Sequence, residues 1–278
     1  MIVDKLQLEK ERDHKKTSFW CSESETNVFD IYHRWIGTKK TNPPGAETEV
    51  IFSAGKMMEL ALVEKLVKQG VVKDMEDQLR IEMVRCGVPI TGYADAILTE
   101  GDMPCEIKTY YGDYQDRELG NGMVRSSYVK QIAMYMDCME KDNGLLLYMN
   151  RGNGKMFEFP VERNGDRFMC GEVRFDITDT YKKWAQLYEN NILKNIEPKS
   201  EYRYKIPIEE IDWSTISNAD ISKARNDKKV IGDSWSVQYS DFKDLILLQE
   251  GVTAGYSEQE LERIKELTAG YSSKKKIK

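Results

Sequence analysis

A chain of 278 residues, 40% of them hydrophobic, can bury the core of one large domain or of a domain with a helical appendage. Its 47 acidic residues outnumber 41 basic ones, and a net charge of −6 excludes a protein that coats nucleic acid by bulk attraction. It leaves room for a local nucleic-acid site, because metal-binding sites are themselves acidic and small basic patches still hold phosphates.

At the N-terminus, MIVDKLQLEKERDHKK lacks the apolar run of a secretory signal, and the apolar stretches farther on are short and interrupted by charge, so a soluble intracellular protein is expected. Ser22 followed by Glu25 reads as a capping box that opens a helix to about Trp35. After the loop TNPPGAETE, a helix is predicted from about Ser53 to Lys68, with Met57, Leu60, Ala61, Leu66 and Val67 on its apolar side and Gly70 as its stop. Strands follow around Leu79 to Arg85, Pro89 to Leu98 and Met103 to Tyr110, with turns at Gly87 and Gly101. YGDYQDRELGNGM reads as a loop and Ser126 to Glu140 as a helix. GLLLYMN and KMFEFPV form a hairpin about RGNG, and a helix with Tyr181, Trp184, Leu187 and Tyr188 follows. Beyond Asn195 short helices and loops are expected, including SEQELERIKELT between two AGYS stretches at Ala254 and Ala269. The order predicts an α/β core, a small mixed β-sheet flanked by helices, over residues 1–195, with a C-terminal helical and irregular extension over 196–278 that packs on it.

Chemistry concentrates in GYADAILTEGDMPCEIKTY, Gly92 to Tyr110. Strand alternation puts Glu106 and Lys108 on one face and Ile107 on the other, and puts Tyr93, Asp95 and Ile97 together on the partner strand. If the two faces coincide, Asp95 and Glu106 converge beside Lys108. Two carboxylates that close do not both stay ionised without a cation between them, and magnesium or manganese, hard ions with oxygen ligands, would serve. The carbonyl of Ile107 could supply a further ligand, and Lys108 could neutralise charge building on a phosphate or orient a water. The same residues could instead form an exposed cross-strand salt bridge. Downstream, YVKQIAMYM puts Gln131 and Tyr135 at i and i+4 on one helix face; upstream, Glu59 lies among apolar residues.

Helix acid, G-x-x-D, E-x-K and Q-x-x-x-Y, in that order, resemble the PD-(D/E)XK nuclease superfamily. The likeness is to its RecB-like branch, which includes the CRISPR-adaptation exonucleases and the nuclease domains of bacterial recombination complexes. The residues that carry it are Glu59, Gly92, Asp95, Glu106-Ile107-Lys108, Gln131 and Tyr135. The resemblance implies a restriction-endonuclease-like core, with Asp95, Glu106, the Ile107 carbonyl and Glu59 as metal ligands. Lys108 would be the catalytic lysine, and Gln131 and Tyr135 would shape the site or contact DNA. Glu59 stands where many RecB-like members have histidine, although other branches use an acid there. Cluster-bearing members place one cysteine near the start and a W-C-x-x-Y-C-like run near the end; here FWCSES keeps Cys21, but DSWSVQYSDF puts Ser236 and Ser240 where thiolates would stand. A hydroxyl does not replace thiolate on iron, so no iron–sulfur cluster is expected.

The five cysteines are odd in number, scattered and without a CxxC pair, which indicates neither disulfides nor a zinc knuckle. SAGKMM lacks the glycine spacing of a phosphate-binding loop, and His14 and His33 accompany no serine-nucleophile elbow. The expected activity is a magnesium- or manganese-dependent deoxyribonuclease, an exonuclease on single-stranded or frayed DNA ends. The alternatives are a restriction-like endonuclease and a nuclease-derived DNA-binding or adaptor subunit without turnover. Tyr111 and Arg125, in the loop before the Gln131 helix, are the expected contacts to unpaired bases and backbone, together with Gln131 and Tyr135. The expected setting is the cytoplasm of a bacterium or a phage-infected cell, away from membranes, with a second copy of the chain or a recombination or replication protein as partner.

Overall fold

The structure is a computed structural model that describes residues 16–75, 78–227, 230–253 and 255–269. His14, the lysine run at 274–278 and parts of the N-terminal basic run and both AGYS stretches lie outside the described residues. The chain divides into two compact units. One comprises the stretch ending at Thr26 with Arg34–Gly37 and Pro44–Glu197; the other comprises Asn27–His33, Thr38–Pro43 and the stretch from Pro198.

In the first unit, strand β1 (Phe19–Trp20) runs into a 3-10 turn at Cys21–Glu23. The expected capping box at Ser22 does not start a helix, because Glu23 turns back instead. Its buried carboxylate accepts from the Trp20 amide at 3.1 Å and pairs with Lys16 and Arg34. Helix α1 (Val28–Ile36) begins later, and Asn27 Oδ1 accepts from the Phe29 amide at 3.1 Å. Helix α2 (Ala46–Lys68) starts earlier than expected, directly after Gly45, with Glu47 and Glu49 favourably placed at its positive N-terminal end. Its buried side is built on Leu62, with Met58, Val63, Leu66 and Val67, while Met57 and Leu60 face solvent. Apolar residues occur nearly all round this helix, so periodicity does not select the face. Gly70, at φ +72°, ends it as expected.

Strands β2 (Leu79–Arg85) and β3 (Val88–Ala94) form a hairpin whose two turn residues, Cys86 and Gly87, both have positive φ, and β1 joins β3 in parallel. The strand expected to continue to Leu98 breaks at Asp95, and β4 (Ala96–Ile97) enters a second sheet instead. That sheet has the order β4, β5 (Pro104–Tyr110), β6 (Asn143–Asn150), β7 (Met156–Asn164), β8 (Arg167–Cys170) and β9 (Val173–Asp176). Strands β5 and β6 are parallel and the other neighbours antiparallel. The β5–β6 crossover carries α3 (Asp113–Gly120), where a loop was expected, and α4 (Ser126–Cys138), and α5 (Ile177–Leu187) follows β9. Leu62 of α2 packs with Cys105, Ile107, Leu147 and Met149 on one sheet face, and α4 contacts the same strands from the other. The result is the expected α/β core, a small mixed sheet flanked by helices.

The second unit is helical, with α6 (Asn218–Asp227), α7 (Ser234–Gln238), α8 (Lys243–Glu250) and α9 (Glu258–Leu267) around Phe29, Trp213, Phe242 and Ile264. Ser257 and Glu260 form a true capping box at α9. Ser240 donates to Asp30 Oδ1 at 2.8 Å and accepts from the Phe242 amide at 3.0 Å, whereas Trp235 and Tyr239 are exposed. Among the described residues no helix is long and apolar enough to cross a membrane.

Candidate active site

Asp95 sits where one strand passes from sheet to sheet. The pairing of Ala96 with Cys105 and Ile97 with Pro104, extended by one step, puts Asp95 opposite Glu106. There its side chain takes over the work of the backbone: Oδ2 accepts from the Ile107 amide at 2.9 Å, and Oδ1 accepts from Gln78 Nε2 at 3.1 Å. Ile107, expected to turn its carbonyl to a metal, is thus tied to Asp95 through its amide, and its side chain is buried beside Leu62.

Glu106 is only 1% exposed. Its Oε1 accepts from Lys108 Nζ, and its Oε2 is buried without a hydrogen-bond partner. Burial, then the neighbouring Asp95, pushes its pKa up to about 8 against the opposing pull of Lys108. Burial works against the charge on Lys108, but Glu106 and Asp95 outweigh it and hold its pKa above the ordinary value. The ammonium also lies 4.9 Å from the centre of the Tyr128 ring. Glu59, paired with Lys56, has its pKa raised first by burial and then by Asp95. Glu59, Asp95 and Glu106 therefore feel one another's charge, as the alternation of the strands predicts for the last two. Among the described residues no three acid, histidine or cysteine side chains already stand as a closed metal cage. The donor set nonetheless suits a hard divalent ion: oxygen donors only, mutually repelling, with one buried carboxylate oxygen lacking a donor.

Gln131 Nε2 donates to Tyr135 Oη at 2.7 Å, the i, i+4 pairing expected on α4. Both residues are buried; Tyr135, its pKa raised by burial and then by Glu106, forms the wall behind that carboxylate. The same wall explains Gly92. A Cβ there would lie 2.8 Å from Tyr135 Cε1 and 2.9 Å from Cys21 Sγ. Gly92→Ala is expected to destabilise the protein by about 1–3 kcal/mol and to lower any activity of the site, checked by urea unfolding alongside rate measurements.

Tyr111 is 77% exposed, and Arg125 is also exposed. Arg125 shares the Tyr128 ring with Lys108, at 5.7 Å. Tyr110 is committed elsewhere, donating to Asp116 at 2.6 Å. Sequence reasoning missed Gln78 and Tyr128. Nothing local marks Gln78, but Tyr128 stands seven residues before Tyr135 on the same helix, a spacing that puts both on one face. It also missed a cleft of about 540 Å³ beside Asp95, into which Glu59, Gln78, Arg80 and Tyr93 project.

No protein-family model matches the chain, and no curated protein matches its sequence. Solved structures with a similar chain path include SSO0001, at TM-score 0.43 and 14% identity over 65% of this chain and 80% of that one. The alkaline exonuclease LHK-Exo from Laribacter hongkongensis has TM-score 0.41 and 15% identity over 66% and 89%. LHK-Exo in complex with dAMP has TM-score 0.45 and 14% identity over 65% and 90%.

Proposed function

We propose that this chain is a metal-dependent nuclease that hydrolyses phosphodiester bonds of DNA, acting as an exonuclease on single-stranded or frayed ends. The observation that carries the reading is the orphaned, buried Oε2 of Glu106 beside Asp95 and Lys108, at the break between two strands. Asp95, Glu106 and Glu59 would hold magnesium or manganese, which, when bound, supplies positive charge that acidifies water and stabilises a crowded phosphate. Lys108 is fixed by Glu106 and by the Tyr128 ring and retains further N–H donors for a phosphoryl oxygen. Asp95, held by Ile107 and Gln78, keeps its oxygens aimed where the strand opens. Gln131 and Tyr135 exclude water behind Glu106, which keeps the local dielectric low and the electrostatic interactions strong. In hydrolysis a water oxygen bonds to phosphorus and loses a proton, while the leaving oxygen departs and gains one. The choice of an end-acting enzyme rests on the order of motifs from Glu59 to Tyr135, which resembles RecB-like exonucleases.

End-labelled linear and covalently closed single-stranded DNA, incubated with magnesium, manganese or a chelator, tests this. The linear strand is expected to shorten from a terminus only with metal, and the circle to survive. Cleavage in chelator would overturn the metal-dependent reading. Rapid cutting of the circle would make the protein an endonuclease, and binding without turnover an adaptor.

A further inference from the structure

We infer that the cleft beside Asp95 seats the terminal nucleotide of a single strand, its base stacked on Tyr93 and its phosphate met by Arg80. The inference rests on the nuclease reading and names the part of the substrate that the site grips. At about 540 Å³ the cleft falls within the range of small-ligand sites and suits one nucleotide rather than a duplex. Val63, Val67 and Val72 make one wall apolar, while Glu59 and Asp95 stand at its acidic end.

Tyr93 is 52% exposed on a sheet whose neighbouring residues Ala94 and Ile90 are fully buried. An aromatic ring left half in water at the lip of a cleft is a stacking platform, and stacking accepts any unpaired base. Arg80 is its direct cross-strand partner in the β2–β3 register, so the two side chains lie on one face. Asp95 follows Tyr93 by two residues, about 7 Å along the strand. A base on Tyr93 thus leaves its own phosphate within reach of Arg80 and brings the next linkage toward Asp95. Arg80 and Lys73 now pair with Glu82 and Asp102, but all four side chains are largely exposed, and such surface pairs are weak enough to yield to a phosphate. A duplex end must first fray to present an unpaired base, which ties the cleft to single strands.

The test uses the full chain carrying Glu106→Gln to block turnover, with single-stranded oligodeoxynucleotides bearing 2-aminopurine at one terminus, at the other, or internally. Fluorescence quenching is expected for one terminal position and not for the internal one. Tyr93→Ala should remove the quench and weaken binding about 10-fold or more, Tyr93→Phe should restore both, and Arg80→Gln should weaken binding with a shallower salt dependence. In the otherwise native protein, Tyr93→Ala should raise KM for linear single strands and change kcat far less; a matching thermal melt shows that the variant is folded. Equal quenching at internal and terminal positions, or a Tyr93→Ala variant with unchanged KM and quench, would overturn the inference while leaving the nuclease reading intact. A protein that cleaves no DNA with any metal, yet quenches the terminal base through Tyr93, would overturn the nuclease reading and leave the cleft standing.

Discussion

Glu106→Gln is expected to lose cleavage activity by 100-fold or more, about 3 kcal/mol of barrier, and yet, free of metal at pH 8, to resist unfolding better than the parent. Both effects come from one burial. Glu106 ionises near 8 in the folded chain against an ordinary carboxylate value of 4.5. Between these values the folded state holds a proton that the unfolded state has released, so the stability associated with this group is complete below about 4.5 and is lost as pH rises through 8. Glutamine keeps an acceptor for Lys108 and carries no charge, so the variant should show no such decline. Urea unfolding in chelator at pH 6 and pH 8, beside single-turnover rates with manganese, separates the two effects. Manganese should raise the melting temperature of the parent and not of the variant. A fully active variant would remove Glu106 from the chemistry, and a parent whose metal-free stability is the same at both pH values would contradict its raised pKa.

Lys108→Met is expected to cost activity by a similar factor and to act on stability in the opposite direction. The ammonium is the donor to Glu106 Oε1, and Oε2 already lacks one. Without Lys108 both oxygens of a fully buried carboxyl stand unpaired and its pKa moves farther up, so the metal-free protein should go on losing stability above pH 8, where the parent levels off. The pH-dependent part of the loss should be small at pH 6 and reach about 1 kcal/mol by pH 9. Combining it with Glu106→Gln should recover much of that stability, a coupling that a double-mutant cycle reads directly. If the double variant is as unstable at pH 9 as Lys108→Met alone, the lysine matters for some reason other than Glu106.

The convergence of Asp95 and Glu106 was legible because strand alternation and a turn at Gly101 dictate it without any tertiary information. The break at Asp95 was not, since it depends on a side chain replacing a backbone acceptor for Ile107. Helix α3 was hidden by its flanking glycines and by having Leu119 as its one fully buried residue. The buried face of α2 was misread for the opposite reason: too many apolar residues, of which the sheet accepts Leu62 and Met58 and leaves Met57 in water. Strands β8 and β9 are four residues each, too short for alternation to register. Gln78 and the Tyr93 cleft are tertiary facts, assembled by the β2–β3 register and by α2, and no local pattern announces them.

The second unit is written in three stretches of the chain, two of them before residue 44 and the last from Pro198, and this has a consequence for how the protein is made. Asp30 leaves the ribosome 210 residues before Ser240, the hydroxyl that caps its carboxylate. At about 5–20 residues per second, that is roughly 10–40 s during which Phe29 has no Phe242 or Ile246 to pack on. Strands β5 and β6, with Asp95, Glu106 and Lys108, are all synthesised within that interval, before the last stretch of the second unit exists.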